Sequence, residues 1–160
     1  MNPFEVDFQE LYRRHLCRHS QFGINVLHLI GVTGIYVALY AIAFSLPGSM
    51  WIVAMALAAY FLLLAFNIPP RLLIANALFI LLLLGFYRAL PRVSPWVYVV
   101  LIFVWHRFQI WNHKIYDKHL DMSEFEGKYR KGPLLFALLS LYELPILLNY
   151  LLFDRRNWTS

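Results

Sequence analysis

The chain has a single cysteine, Cys17, in 160 residues. This excludes an intramolecular disulfide, and with it the stapled frameworks of small secreted domains. Charge is also scarce. Asp, Glu, Lys and Arg make up 14% of the sequence against 61% hydrophobic residues, with a mean hydropathy of +0.57. A water-soluble domain has a roughly half-apolar mix and about 25% charge, so an ordinary soluble fold is excluded. The 14 Lys and Arg outnumber the 9 Asp and Glu. The cations cluster between apolar runs without a stacking-aromatic pattern, so anionic lipid headgroups are the expected neighbours and nucleic acid is not a partner. The N-terminal segment carries Glu5, Asp7 and Glu10 ahead of its arginines and has no small-residue cleavage site. It runs into an apolar stretch too long for a signal peptide, and no cleaved leader is expected. Internal repeats and low-complexity tracts are missing as well, which leaves one membrane domain over residues 1–160.

The apolar runs of the chain are long. A helix rising ~1.5 Å per residue needs about 20 apolar residues to cross ~30 Å of hydrocarbon. Such runs cover roughly Asn25 to Leu46, ending at Pro47-Gly48, and Trp51 to Asn67, ending at Pro69-Pro70. Others cover Leu72 to Leu90, stopped by Pro91, and Pro95 to Trp111. A last run from Pro133 to Phe153 is interrupted by Glu143 and Pro145 and is either a full crossing or a re-entrant segment. Residues 3–22 place Phe4, Phe8, Leu11 and Tyr12 at three- and four-residue spacing, which predicts an amphipathic helix in the interface beside the first span. The expected fold is therefore all-α, a polytopic membrane bundle of four to five transmembrane helices plus an N-terminal interfacial helix.

Lys and Arg in short loops stay on the cytoplasmic side. Arg13, Arg14 and Arg18 precede the first span, Arg71 lies between the second and third, and Lys114, Lys118, Lys128, Arg130 and Lys131 follow the fourth. Alternate crossings put these clusters on one face. The same parity sends Arg88, Arg92, Arg155 and Arg156 to the other.

The six histidines avoid the middles of the apolar runs. His15, His19 and His28 flank the start of the first span, and His106, His113 and His119 flank the end of the fourth, so parity brings both groups to one face. His15 and His19 are four apart and His106 and His113 seven apart, each pair on one helical face. His19 and His28 are nine apart and fall on opposite faces of a continuous helix. Joint ligation requires a bend, which the sequence suggests at Gly23. Imidazoles joined by a carboxylate in a poorly hydrated place suit a borderline metal such as iron or zinc. The competing reading is that they anchor helices at the interface by their amphipathic rings. His119 sits beside Lys118 in a polar stretch and reads as solvated. Glu143, ten residues inside an apolar run, is either a hydrogen-bond partner of a ligating histidine or a helix–helix bond. Gln109 and Asn112 flank His113 and either orient it, bind substrate oxygens or are merely wet.

At these residues the chain resembles the membrane 2-hydroxy fatty acid dioxygenases of the yeast endoplasmic-reticulum type and their bacterial relatives. One motif is an aromatic N-terminal segment, then His19, His28 and Leu29-Ile30-Gly31. The other is Phe108-Gln109-Ile110-Trp111-Asn112-His113, with Asp117 four residues on. Relatives have glycine where this chain has Asn112 and glutamate at Asp117, and their asparagine before the second histidine stands one residue earlier than Asn25. The resemblance implies an Fe(2+)-dependent enzyme that uses molecular oxygen to convert a 2-hydroxy fatty acid into the acid one carbon shorter. It places the protein in a bacterial inner membrane or the endoplasmic reticulum. On this reading iron is held by His19, His28 and His113, with His15 or His106 completing the set and Asp117 orienting His113. Arg107 or Lys114 either steadies the substrate carboxylate or is an ordinary cytoplasmic-side cation. The rival classes are another metal-dependent lipid hydroxylase or desaturase, which ordinarily carries more histidines in short-spaced pairs, and a non-enzymatic membrane scaffold or transporter.

Overall fold

The computed structural model describes residues 6–91, 93–116, 123, 125 and 132–158. These form an all-α polytopic helical bundle: α1 (Phe8–Leu16), α2 (Phe22–Phe44), α3 (Ser49–Asn67), α4 (Pro70–Ala89), α5 (Pro95–Ile115) and α6 (Pro133–Leu148), the last continued by a π-helical turn (Asn149–Phe153) and a 3-10 turn (Arg155–Asn157). Four segments are long and apolar enough to cross a membrane: α2, α3, α4 and Leu135–Phe153. With 21 residues α5 has the length, but His106, Arg107, His113 and Lys114 make its last half polar.

Local chemistry sets most of the boundaries. The Asp7 side chain caps α1 by accepting from the Glu10 N–H at 3.0 Å. α4, α5 and α6 each begin at a proline, whose missing N–H is no loss in a first turn. Between α2 and α3 the chain reverses at Gly48, the one described residue with positive φ, at 70°. Neither Glu143 nor Pro145 breaks the last apolar run. The helix passes through Pro145, and widening appears only in the π-helical turn that begins four residues later.

The hub is α2, which packs against α3, α4, α5 and α6. Its contact with α5 is antiparallel and close: a Cβ on Gly23 would meet the Tyr116 ring, one on Gly31 the Gln109 side chain at 2.7 Å, and one on Gly34 the Trp105 indole. Small residues let the two backbones approach, as apolar attraction between helices is weak in lipid.

One expectation about the N-terminal region is corrected, the place of its bend. α1 lies against the start of the first span, where His15 Nε2 is 2.8 Å from Asn25 Oδ1, and is also tied to the end of the chain: it packs on α6, and Tyr12 donates to Asp154 Oδ2 at 2.6 Å. Burial and the adjacent Asp154 raise the Tyr12 phenol above its ordinary range, so it stays a donor. The bend between His19 and His28 lies in residues 17–21, between α1 and α2, while Gly23 is already helical and serves close packing.

The C-terminal end of α6 reaches the same end of the bundle as α1. Tyr150 donates to the Ser20 carbonyl, Trp158 packs on Phe22 with ring centroids 4.5 Å apart, and the Arg71 guanidinium lies 5.1 Å over the Phe153 ring. Arg155 and Arg156 therefore join Arg71 and the α1 arginines at one end, contrary to the parity expectation. That parity assumed α6 runs opposite to α5, whereas both end at the histidine face. Arg88 stays at the far end, where its neighbour Tyr87 stacks on Phe44 at the end of α2. Arg92, Lys118, His119, Lys128, Arg130 and Lys131 lie outside the described residues.

Candidate metal centre

Three imidazoles converge where α2 and α5 meet the turn after α1. One ring nitrogen from each of His19, His28 and His113 lies within 4.8 Å of the others. The rings meet edge to face, with centroids 4.6 Å apart for His19–His28, 4.7 Å for His19–His113 and 5.0 Å for His28–His113. His19 comes from the turn, His28 from the second turn of α2, and His113 from the last turns of α5.

The hydrogen bonds select the tautomers a metal needs. His28 Nδ1 lies 3.3 Å from Glu143 Oε1; the carboxylate can only accept, so the proton is on Nδ1 and the Nε2 lone pair is bare. His19 Nδ1 lies 3.2 Å from the His15 carbonyl, which fixes the same tautomer. His19 Nε2 and His28 Nε2 are buried and have no hydrogen-bond partner among the described residues. Two buried, bare lone pairs facing a third imidazole are unfavourable unless a cation takes them. His113 Nδ1 is buried in the same cluster.

A layer of polar side chains supports the triad. Glu143 Oε1 also accepts from Gln109 Nε2 at 2.9 Å, so one carboxylate oxygen ties α6 to both α2 and α5. The two sequence alternatives for Glu143 thus hold together: it bonds a triad histidine and it bonds helix to helix. Asn25, fully buried, donates to the His19 carbonyl at 2.6 Å and the Gln21 carbonyl at 2.8 Å, and accepts from His15 Nε2 at 2.8 Å. Asn25 pins the turn that presents His19, a role the sequence signalled only through its place ahead of His28.

Electrostatics favours neutral rings. Burial, partly offset by the bond to Asn25, lowers His15 to about 3. Burial and then the neighbouring His15, His28 and His113 hold His19 well below the ordinary imidazole value. Neutral imidazole is the ligating form.

Of the other residues expected at the site, His15 stands behind the triad: its ring stacks on His19 at 4.1 Å and 8°, and its Nε2 is committed to Asn25. His106 is exposed and two turns along α5 from His113, at the rim of the same cleft, and the structure does not bring it into the triad. Arg107 and Lys114 are exposed and do not line the cleft, whereas Arg14 and Arg18 do. Asp117 lies outside the described residues. Asn112 is fully buried, and neither atom of its amide finds a hydrogen-bond partner among them.

The triad opens into a cleft of about 600 Å³ between α2, α5 and α6. Its walls are mostly apolar, with Ile35, Leu39, Phe103 and Leu139 below the histidines. A polar head and an apolar shaft are the two parts of an amphiphile site. No protein-family model matches this chain, and no curated protein or solved structure matches it either.

Proposed function

We propose that the chain is an iron(II)-dependent membrane dioxygenase that shortens 2-hydroxy fatty acids by one carbon. The observation that carries this reading is the convergence of His19, His28 and His113, two of them with bare buried nitrogens, at the head of an apolar cleft. Three imidazole ligands leave open positions on a divalent ion, as an oxygen-using site requires. When bound, a ferrous ion supplies the Lewis acid and redox centre for the oxidation. The protein's own contribution is placement. Glu143 and the His15 carbonyl hold the rings in the ligating tautomer, and the cleft takes the acyl chain while its polar end lies at the triad. In the overall change the acid takes up one O2, the bond to its carboxyl carbon breaks, and the shorter acid, carbon dioxide and water leave, so no separate reductant is needed.

The histidine end bears Arg13, Arg14, Arg18, Arg71, Lys114, Arg155 and Arg156, and this excess of cations favours the cytoplasmic side of a bacterial inner membrane or of the endoplasmic reticulum. The test is product analysis. Purified protein in lipid nanodiscs, loaded with ferrous iron and supplied with a 2-hydroxy long-chain acid and oxygen, is expected to yield the acid one carbon shorter. A hydroxylated or desaturated product of unchanged length would replace this reading with the hydroxylase or desaturase class. The absence of any metal-dependent product would remove it.

A further inference from the structure

α5 and α6 both pack on α2 but, among the described residues, make no comparable contact with one another. A bond from Gln109 Nε2 to Glu143 Oε1, 2.9 Å long, bridges them beside the triad. Away from the histidines the cleft becomes a slot. Val32, Ile35 and Leu39 of α2 form its floor, Phe103 of α5 one wall, and Phe136 and Leu139 of α6 the other. Tyr36, His106 and Ser140 are the polar side chains along it. Leu39 lies eleven residues after His28 and Phe103 ten before His113, ~15 Å along each helix axis. The slot therefore runs from the histidine end to about the middle of a ~30 Å hydrocarbon layer. Its long side is open. Phe103 and Phe136 are 66% and 65% exposed, and in a membrane-spanning bundle such exposure is contact with lipid tails. No described lining residue comes from α3 or α4, so neither of these helices roofs the slot.

We infer that the gap between α5 and α6 is a doorway in the plane of the membrane, through which one acyl chain dissolved in the bilayer moves sideways and comes to rest along α2. This rests on the fatty-acid reading above and supplies the route and the resting place of the tail. Passage through the polar histidine end would draw each methylene into water, which is unfavourable in proportion to the apolar area exposed. Passage past Phe103 and Phe136 exchanges one hydrocarbon contact for another. Two walls and a floor hold one chain, and the cleft volume of about 600 Å³ is that of a single small-ligand site. The substrate class is thus a single-chain acid long enough to dissolve in the bilayer, not a short hydroxy acid carried by water.

The test locates the bound tail and times its arrival, both without turnover. A 2-hydroxy long-chain acid with a photoreactive diazirine at mid-chain is bound to iron-loaded wild-type protein in nanodiscs and irradiated, and the labelled residues are read by mass spectrometry. Labelling at Phe103, Phe136 or Leu139 is expected to be lost when excess unlabelled 2-hydroxy acid competes, while labelling at Leu62 on the exposed face of α3 persists. Competed labelling confined to other helices, or none anywhere, would overturn the inference. The doorway itself is narrowed by Ser140→Trp, since Ser140 is exposed and lines the slot between Phe136 and Glu143. Stopped-flow association of a fluorescent fatty acid is expected to slow by about tenfold or more in this variant and by less than about twofold in Leu62→Trp. An unchanged rate in Ser140→Trp with iron retained would equally overturn the inference; should that variant lose its iron, the wild-type labelling alone decides. Competed labelling in the slot without a shortened product would sink the dioxygenase reading and leave this one standing. A shortened product with competed labelling elsewhere would do the reverse.

Discussion

α3 and α6 are similarly apolar, yet only 11% of the α3 span is buried within the bundle against 50% of the α6 span. Hydrophobicity alone does not distinguish a helix that faces lipid from one that builds a site. What α6 has and α3 lacks is Glu143, a carboxylate bonded to α2 and α5 at the histidines, followed by Tyr150, which donates to the turn before α2. Charged groups inside a membrane face the bundle interior and mark function. The molecule thus divides into a working half, α1, α2, α5 and α6, and a supporting pair, α3 and α4, which contains no histidine.

The largest test of that division is removal of a ring. His28→Ala is expected to lower iron affinity by more than about 100-fold, since losing a ligand exceeds the 10–100-fold loss typical of a supporting group. Leu62→Ala on the exposed face of α3 should leave iron stoichiometry unchanged. Iron determination on the purified variants reads both, and equal loss in the two would erase the distinction between halves. Glu143→Gln comes next. It keeps the shape but can present an N–H to His28, and a loss of about 10–100-fold in iron affinity is expected; a wild-type titration would show that the carboxylate merely joins helices.

A glycine pair sharpens the comparison further. A methyl on Gly34 runs into the Trp105 indole, whereas one on Gly85 of α4 meets nothing within 4 Å. Gly34→Ala is expected to destabilise by about 1–3 kcal/mol through overpacking and Gly85→Ala to be neutral or slightly stabilising in its helix, as read by thermal unfolding in detergent.

The smallest effect is set by pH. His15, lowered to about 3, and His19, also lowered, stay neutral in the folded protein, while the unfolded chain protonates them near 6.5. Stability of the metal-free protein is therefore full above about pH 6.5 and falls as pH drops from there towards 3. Hydrogen exchange should loosen α1 and the turn after it before α3 and α4. Simultaneous loosening, or loss on raising the pH, would contradict the assignment.

Much of this was legible in the residues. The proline and glycine stops give the helix ends within a few residues, and the histidine spacings with the parity of crossings bring residues 19, 28 and 113 to one end. The direction of α6 was not legible, because parity counts the visible apolar runs and the two that flank the polar stretch 117–132 end at the same face. The side of Arg155 and Arg156 followed that error. Choosing among the cations also needed three dimensions: Arg107 and Lys114 sit next to rim and triad histidines in sequence, but neighbours on a helix point about 100° apart, and these two do not line the cleft. Arg14 of α1 and Arg18 of the turn after it line the cleft instead, and the docking of α1 on α6 depends on Tyr12 and Asp154, 142 positions apart.

The triad draws on positions 19, 28 and 113, and its carboxylate on 143. A ribosome that has released only the first four helices has made two of the three rings and lacks the third. If the triad holds a metal as proposed, loading would wait until the fifth helix is in place, and firm retention until the sixth arrives with its glutamate. On the proposed metal reading, a bound ion would therefore act as a stamp of completion, telling a finished molecule from one abandoned partway through insertion.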